Sequence, residues 1–397
     1  MKDRRLDFSL FRNNKDITYL DYAATTFMPD QVIKSWVHYQ QNTGVSYNRG
    51  NGILSDIAEN EYNKAKKIIL NFFSAEETYD FVFGKNATEC LNIVAYSLRD
   101  CLNQGDVILM GPYEHHSNIL PWEKMAKETG ACLVQLPLLE GGNINYSFWD
   151  SLDKKRIKVI SISMVSNINS YAIDTMWLKA VKNDCDAIII LDVSQQVGHC
   201  ELDCEKIGAD AYIMSAHKMY GPKNIGAAIV KKQLIEKMNP VLVGGGMVWN
   251  SLGAGPTWQL GAKKFEAGTF DVGLVSAWSE ACKYLNSIGM DAVRESDRRI
   301  WEYVKKRMDR RIFSIVPGGN DNSSMVSFMV NSVHPHDVAE MASLHNFEIR
   351  TGHMCAQSTL DNLGYKSLCR LSWGIGSDIS DVEAFICLVE EECLHDK

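Results

Sequence analysis

Short apolar runs alternate with longer amphipathic stretches between about residues 79 and 230. Residues 81–83, 107–110, 159–164, 187–191, 211–214 and 226–230 are mostly apolar, and such runs predict strands buried on both faces. Helix-length segments at 89–99, 122–129 and 176–183 lie between them. Strand and helix in alternation predict a mainly parallel sheet covered by helices. Gly244-Gly245-Gly246 and a loop over 253–269 then interrupt the rhythm. A long helical pattern follows at 274–306. After it come a strand at 325–330, a helix at 336–344, a strand at 370–373 and a helix at 380–395. The chain is therefore expected to form an α/β fold of two domains that change over inside the 274–306 pattern. Residues 16–284 form the large one, and residues 1–15 with 285–397 form the small one.

Composition narrows the function. A length of 397 residues exceeds the size at which one core usually stops growing, which agrees with two domains. The formal net charge is −8, and no basic run of five or more occurs. Phosphate backbones need a basic surface, so no nucleic-acid partner is expected. Eleven cysteines, an odd number with no CxxC pair, argue for reduced thiols rather than a disulfide framework or a zinc ribbon. Residues 1–16 are polar, and no apolar run approaches bilayer width. Neither a signal peptide nor a membrane span is expected, and the cytoplasm is the expected compartment.

In an open α/β sheet, ligands bind beyond the carboxyl ends of the strands, so each strand exit is a candidate. The 187–191 run exits into Asp192 and then Gln195. A carboxylate there needs a cationic partner or a helix to cap. The 211–214 run exits into Ser215-Ala216-His217-Lys218. A lysine desolvated at a strand end has a lowered pKa, and its neutral amine attacks aldehydes. Pyridoxal-phosphate (PLP) enzymes need such a lysine and an acid opposite the pyridinium nitrogen, so Lys218 and Asp192 suit that pair. Gly84-Lys85-Asn86-Ala87-Thr88-Glu89 leads into an amphipathic segment. A helix start of this kind is either an anion site or an ordinary cap. Ser215 and His217 could add phosphate contacts. Glu114-His115-His116 has no third metal ligand at a suitable spacing, so stacking of an imidazole on a planar ring is the better use. Cys355 lies in Arg350-Thr351-Gly352-His353-Met354-Cys355-Ala356, where the nearby Arg350 favours thiolate. Arg370 opens a later strand and could grip a carboxylate in a two-pronged hydrogen-bond pair.

Together these segments resemble the class V aminotransferase family of fold-type I PLP enzymes, and within it the second group of cysteine desulfurases and selenocysteine lyases. The resemblance runs from Tyr19 to about Glu391. It rests on Tyr19-Leu20-Asp21-Tyr22-Ala23-Ala24-Thr25-Thr26, Asn86-Ala87-Thr88-Glu89, Glu114-His115-His116-Ser117-Asn118, Ser166-Asn167, Asp192 with Gln195, the stretch from Ser215 to Pro222, Phe265-Glu266-Ala267-Gly268-Thr269, and the cysteine loop. It implies a large domain with a mainly parallel seven-stranded sheet and a smaller C-terminal α/β domain that carries the cysteine loop. It implies that Lys218 holds PLP as a Schiff base and moves the α-proton, with Asp192 on the pyridine nitrogen. Asn167 and Gln195 would contact the phenolic oxygen, and His115 would stack on the ring. Thr88, Ser215 and His217 would hold the phosphate. Thr269 would reach the phosphate of the other subunit of a homodimer. Arg370, Arg350, Ala24 and Asn167 would meet the substrate, L-cysteine or a related amino acid. Cys355 would accept its sulfur as a persulfide for an acceptor protein, and alanine would leave. The alternative is another class V PLP enzyme, an aminotransferase, epimerase or C–S lyase.

The chain departs from the desulfurase pattern at several positions. Tyr22 stands in place of Asn. The motif around Arg49 usually carries His residues and here reads Tyr47-Asn48-Arg49-Gly50-Asn51-Gly52. Asn169-Ser170-Tyr171 replaces a Gly-containing turn, Lys223-Asn224 a Thr-Gly pair, Phe270 a Pro, and Met354 a His. Most are expected to line or border the substrate pocket, with Tyr171 reshaping it.

Overall fold

The computed structural model describes residues 1–47, 50–250, 255–319 and 323–395. Asn48 and Arg49 of the Tyr47–Gly52 motif lie outside the described residues, as does part of the 253–269 loop.

Seven strands form the larger sheet. They are β1 (Tyr79–Gly84), β2 (Val107–Met110), β3 (Cys132–Gln135), β4 (Ile157–Ser163), β5 (Ile188–Asp192), β6 (Ala211–Ser215) and β7 (Gly226–Lys231). Their spatial order is β1-β7-β6-β5-β4-β2-β3. Only β7 runs against the others, pairing antiparallel with β1 and β6. The apolar runs fall on six of these strands. The pattern passes over β3 because it is an edge strand with no buried side chain.

Alternate residues of each strand enter different cores. Phe81, Leu191, Tyr212 and Met214 join one apolar cluster, while Val82, Ile190 and Ile213 join another. Burial of both faces explains why these strands read as continuous apolar runs rather than as alternating ones. Helix α1 (Asp30–Asn42), α2 (Ile53–Phe72) and α5 (Thr175–Asp184) pack against the first cluster. Helices α3 (Ala87–Ser97) and α4 (His116–Thr129) pack against the second. The α4 segment starts six residues before its expected beginning, because His115 caps it.

The long pattern at 274–306 is two helices, not one: α6 (Val272–Ile288) and α7 (Met290–Arg307). Gly289 separates them at φ +86°, with its N–H on the Leu285 carbonyl. Only glycine takes that conformation without a Cβ clash. Trp278 and Leu285 of α6 pack into the core of the large sheet, and Ile300 and Val304 of α7 pack into a third cluster. That third cluster covers a four-stranded antiparallel sheet of β8 (Phe313–Ile315), β9 (Met325–Val330), β10 (Arg350–Gly352) and β11 (Leu368–Ser372), ordered β8-β9-β11-β10. Helices α8 (Pro335–Leu344), α9 (Gln357–Leu363) and α10 (Ile379–His395) complete this part. The segment expected as a loop at 350–356 thus begins as a strand, with Arg350 paired opposite Arg370. No helix among the described residues is long and apolar enough to cross a membrane.

Register brings the strand ends together. Ser163 lies opposite Asp192, and Gly226 lies opposite both Ser215 and Gly84. A Cβ on Gly226 would sit 2.7 Å from Asn86 Cα and from the Met214 carbonyl oxygen. Both are backbone and cannot swing aside. Gly226→Ala is expected to lower stability by about 1–3 kcal/mol, seen as a lower denaturant midpoint. An unchanged midpoint would show that β7 can shift away from the start of α3.

Candidate active site

The carboxyl ends of β4, β5 and β6 open into a cavity of about 370 Å³. Asp192 ends β5 and is buried, and its Oδ1 accepts a hydrogen bond from the Ser194 N–H at 2.9 Å. Lys218 closes the short turn after β6 and is partly buried. Burial is the main cause that lowers its amine below the ordinary lysine value, and Arg370 adds to it. Asp192, Cys355 and Asp21 pull the other way. The outcome is an amine with a raised neutral fraction beside a carboxylate.

One end of the cavity is built to take an anion. Asn86 caps α3 by accepting from the Glu89 N–H at 3.0 Å. Ser215 Oγ accepts from the Ala87 N–H at 2.7 Å, and the hydroxyls of Thr88 and Ser117 lie 2.6 Å apart. His217 Nδ1 sits 3.1 Å from Thr25 Oγ1. Hydroxyls around a helix N-terminus, where N–H groups and the dipole point outward, favour a phosphate. Burial and the Lys218 and Lys223 charges push the His217 imidazole down to about 4, so it acts as a neutral hydrogen-bonding group.

His115 lines the cavity and caps α4, its Nδ1 accepting from the Ser117 N–H at 3.1 Å. Burial and the Lys218 charge push it down to about 4. A neutral ring that accepts at Nδ1 carries its proton on Nε2. Among the described residues, no group of side chains is arranged to hold a metal.

The opposite end carries two guanidinium groups on one buried carboxylate. Arg370 Nη2 donates to Asp21 Oδ1 at 3.0 Å, and Arg350 Nη2 donates to Asp21 Oδ2 at 2.5 Å. Arg370 Nη1 also donates to the Asn167 carbonyl at 2.8 Å, while its buried Nε has no hydrogen-bond partner. Arg370 is thus fixed in direction with donor capacity left over, which suits a carboxylate. Arg350, expected to favour a Cys355 thiolate, is paired with Asp21. The Asn167 amide donates to the Met354 carbonyl at 2.9 Å, and the Gln195 amide donates to the Ala23 carbonyl at 2.9 Å. Both side chains, with Ala24, line the cavity.

Cys355 is exposed and lines the same cavity. Met354 and Cys355 both adopt positive φ, +52° and +55°. Each such non-glycine residue costs on the order of 1–3 kcal/mol, so the surroundings must enforce the turn.

Other expected residues fall elsewhere. Thr269 is not in the wall of this cavity and lies beside Phe270 and Tyr39. Tyr171 does not border it either. Its ring stacks on Tyr113 at 5.0 Å, and its hydroxyl accepts from the Ile144 N–H. Tyr22 is buried, with its hydroxyl on the Ile375 carbonyl. Phe270 packs on Phe83. Among the described departures, Met354 is the one that lines the pocket. Tyr22, Tyr171 and Phe270 pack with the first apolar cluster instead.

The sequence assigns no role to Asp21, Ser117, Ser163 or Ser194. Asp21 carries one usable signal: it is the only acid in the 19–26 motif. Glu114 is likewise unassigned. It is buried and accepts from Asn118 Nδ2 at 2.6 Å, from Ser163 Oγ at 2.6 Å and from the Ser163 N–H at 2.8 Å. Burial nevertheless pushes its carboxyl up to about 7. Between the ordinary carboxyl range and about pH 7, Glu114 therefore holds more proton in the folded state than in the unfolded chain. Its own contribution to stability falls as pH rises through that window, by on the order of 1–3 kcal/mol, and is opposed there by the depressed imidazoles of His115 and His217. Glu114→Gln mimics the protonated acid and should remove this one contribution, so that its stability in urea titrations rises more steeply with pH than the parent's. An equal slope in both proteins would rule it out.

Comparison with known proteins agrees with this geometry. The family model described as "Aminotransferase class-V" matches residues 18–385. A curated relative from Halalkalibacterium halodurans, named "Probable cysteine desulfurase", is 32% identical over 374 residues, covering 94% of this chain and 92% of its own. One of the same name from Pyrococcus abyssi is 32% identical over 397 residues, covering 98% and 97%. The apo structure of a cysteine desulfurase from Thermococcus onnurineus superimposes with a TM-score of 0.92 at 29% identity, covering 98% of this chain and 97% of that one. An S-sulfonic acid form of the Escherichia coli cysteine desulfurase CsdA gives 0.89 at 27% identity with the same coverage. With the family match spanning nearly the whole chain and a fold shared from end to end, the protein belongs to the aminotransferase class-V family.

Proposed function

We propose that this chain is a PLP-dependent cysteine desulfurase that works as a homodimer. It takes sulfur from L-cysteine onto Cys355, releases alanine and passes the sulfur to an acceptor thiol. The observation that carries this reading is the convergence of Lys218, Asp192, Arg370 and Cys355 on one cavity.

The donor set fits PLP. Thr88, Ser117, Ser215 and His217 would hold its phosphate at the start of α3. Asp192 would hold the ring nitrogen, His115 would cover a ring face, and Lys218 would carry the aldehyde carbon. Asn167 and Gln195 would lie toward the phenolic oxygen. When bound, the cofactor supplies an electron sink for charge that develops at the substrate α-carbon.

The chain's own residues do the rest. Arg370, held by Asp21 and the Asn167 carbonyl, orients the substrate carboxylate. Lys218 Nζ takes the α-proton, which its lowered affinity for protons permits. Cys355 Sγ then bonds to the substrate sulfur as the substrate Cβ–S bond breaks, and the carbon fragment gains one proton at Cβ, takes one back at Cα from Lys218 and leaves as alanine. The sulfur stays on Cys355 at the cavity mouth, where an acceptor thiol can reach it.

Exposed apolar side chains on Ile53, Leu54, Trp249 and Leu260 support a covering partner subunit. In that dimer Thr269 would complete the phosphate site of the other subunit. The direct test is peptide mass spectrometry after incubation with L-cysteine. One added sulfur atom on the Cys355 peptide, with alanine released, is expected. Neither product would point to an aminotransferase, epimerase or lyase using the same cavity.

A further inference from the structure

His116 is singled out by the sequence, takes no part in a metal site and is not used by the steps above. It is the first residue of α4 and stands against the cysteine loop. Its backbone N–H donates to the Cys355 carbonyl at 2.7 Å. Its ring Nε2 accepts from the Gln357 N–H, the first residue of α9, at 3.2 Å. One residue of the large-sheet half therefore grips both sides of the Cys355–Gln357 turn.

The turn needs gripping. Met354 and Cys355 are consecutive non-glycine residues at positive φ, a conformation that persists only when neighbours over-determine it. On its other side the Met354 carbonyl is held by Asn167 Nδ2, and Thr359 Oγ1 reaches back to the Pro112 carbonyl at 3.2 Å. Of these contacts, His116 supplies the one on Cys355 itself and the one on Gln357. It also adjoins His115, which lines the cavity.

We infer that His116 is a positioning residue for the sulfur-accepting cysteine: its ring acceptor fixes the Gln357 amide and so sets where Cys355 Sγ points. This rests on the desulfurase reading. The main-chain bond from residue 116 is kept by any residue with a backbone N–H, so alanine and glutamine variants test the ring contact alone.

His116→Ala and His116→Gln separate the possibilities, since glutamine restores an acceptor oxygen. Rapid-quench mass spectrometry would follow sulfur appearing on Cys355 in PLP-loaded enzyme. Substrate affinity and PLP content are measured alongside from the visible spectrum. In His116→Ala the persulfide-forming rate should fall roughly 10- to 100-fold, as misplacement of a reacting atom by about 1 Å would cause. PLP content and substrate affinity should hold, and His116→Gln should recover most of the rate. An unchanged rate in His116→Ala overturns the inference. So does a loss that glutamine fails to restore, or one accompanied by loss of PLP. Absence of persulfide in the parent enzyme would instead remove the desulfurase reading itself.

Discussion

Lys218→Ala should reduce alanine formation from L-cysteine by about 10³-fold or more, because two tasks end at once. The amine that would carry the cofactor is gone, and so is the group placed to move the α-proton. Both tasks require an amine with a substantial neutral fraction. An exposed lysine has little of it near neutral pH, and burial in the turn after β6 raises it here. The variant should still fold. Removing a partly buried cation whose charged form is disfavoured relieves desolvation, although Asp192 loses a nearby positive charge. Borohydride reduction followed by peptide mapping gives a readout independent of activity. The parent should yield the pyridoxyl group on the Lys218 peptide, and the variant should yield it nowhere. Label on a different lysine, or more than roughly a tenth of the parent rate in the variant, would end the proposed chemistry.

The second large effect is at the cavity mouth. Cys355→Ala should abolish persulfide on the enzyme and lower alanine release by at least about 100-fold, since Cys355 is the one thiol that lines the cavity among the described residues. Cys90, Cys204, Cys282 and Cys369 are buried, and none of them lines the cavity. PLP content should be unchanged, because Cys355 lies in the small-sheet half, whereas the residues proposed to hold the phosphate lie on α3, β6 and the start of α4. Stability should change by less than about 0.5 kcal/mol, since Cys355 is exposed and alanine tolerates φ +55° no better than cysteine does. Full alanine release by this variant would show that sulfur leaves without Cys355, and the reaction would then be a lyase reaction.

These two residues show how differently the sequence reports on the two halves of the site. Lys218 and Asp192 end apolar runs that are strands because both of their faces are buried. Strand exits in a parallel sheet point to one edge, so their proximity follows from pattern and topology together. Cys355 has no such guide. It reaches the cavity because β10 pairs with β11, α9 docks on the Pro112–His116 segment, and Asn167 holds Met354. In the sequence, the motif resemblance alone linked it to Lys218.

What the sequence determined by itself was the set of buried strands and the chemistry at their ends. Apolar runs record burial locally, and a strand end needs no distant residue to be recognised. The tertiary structure decided the rest. It split the 274–306 pattern at Gly289, since continuous apolar spacing does not reveal that α6 stays on the large-sheet core while α7 leaves it after Val293 for the third cluster. It moved Tyr22 and Tyr171 behind the pocket wall. It placed Asp21 between Arg350 and Arg370, more than three hundred residues away along the chain. Ion pairs and packing across such separations depend on where the chain returns, and a one-dimensional pattern does not carry that information.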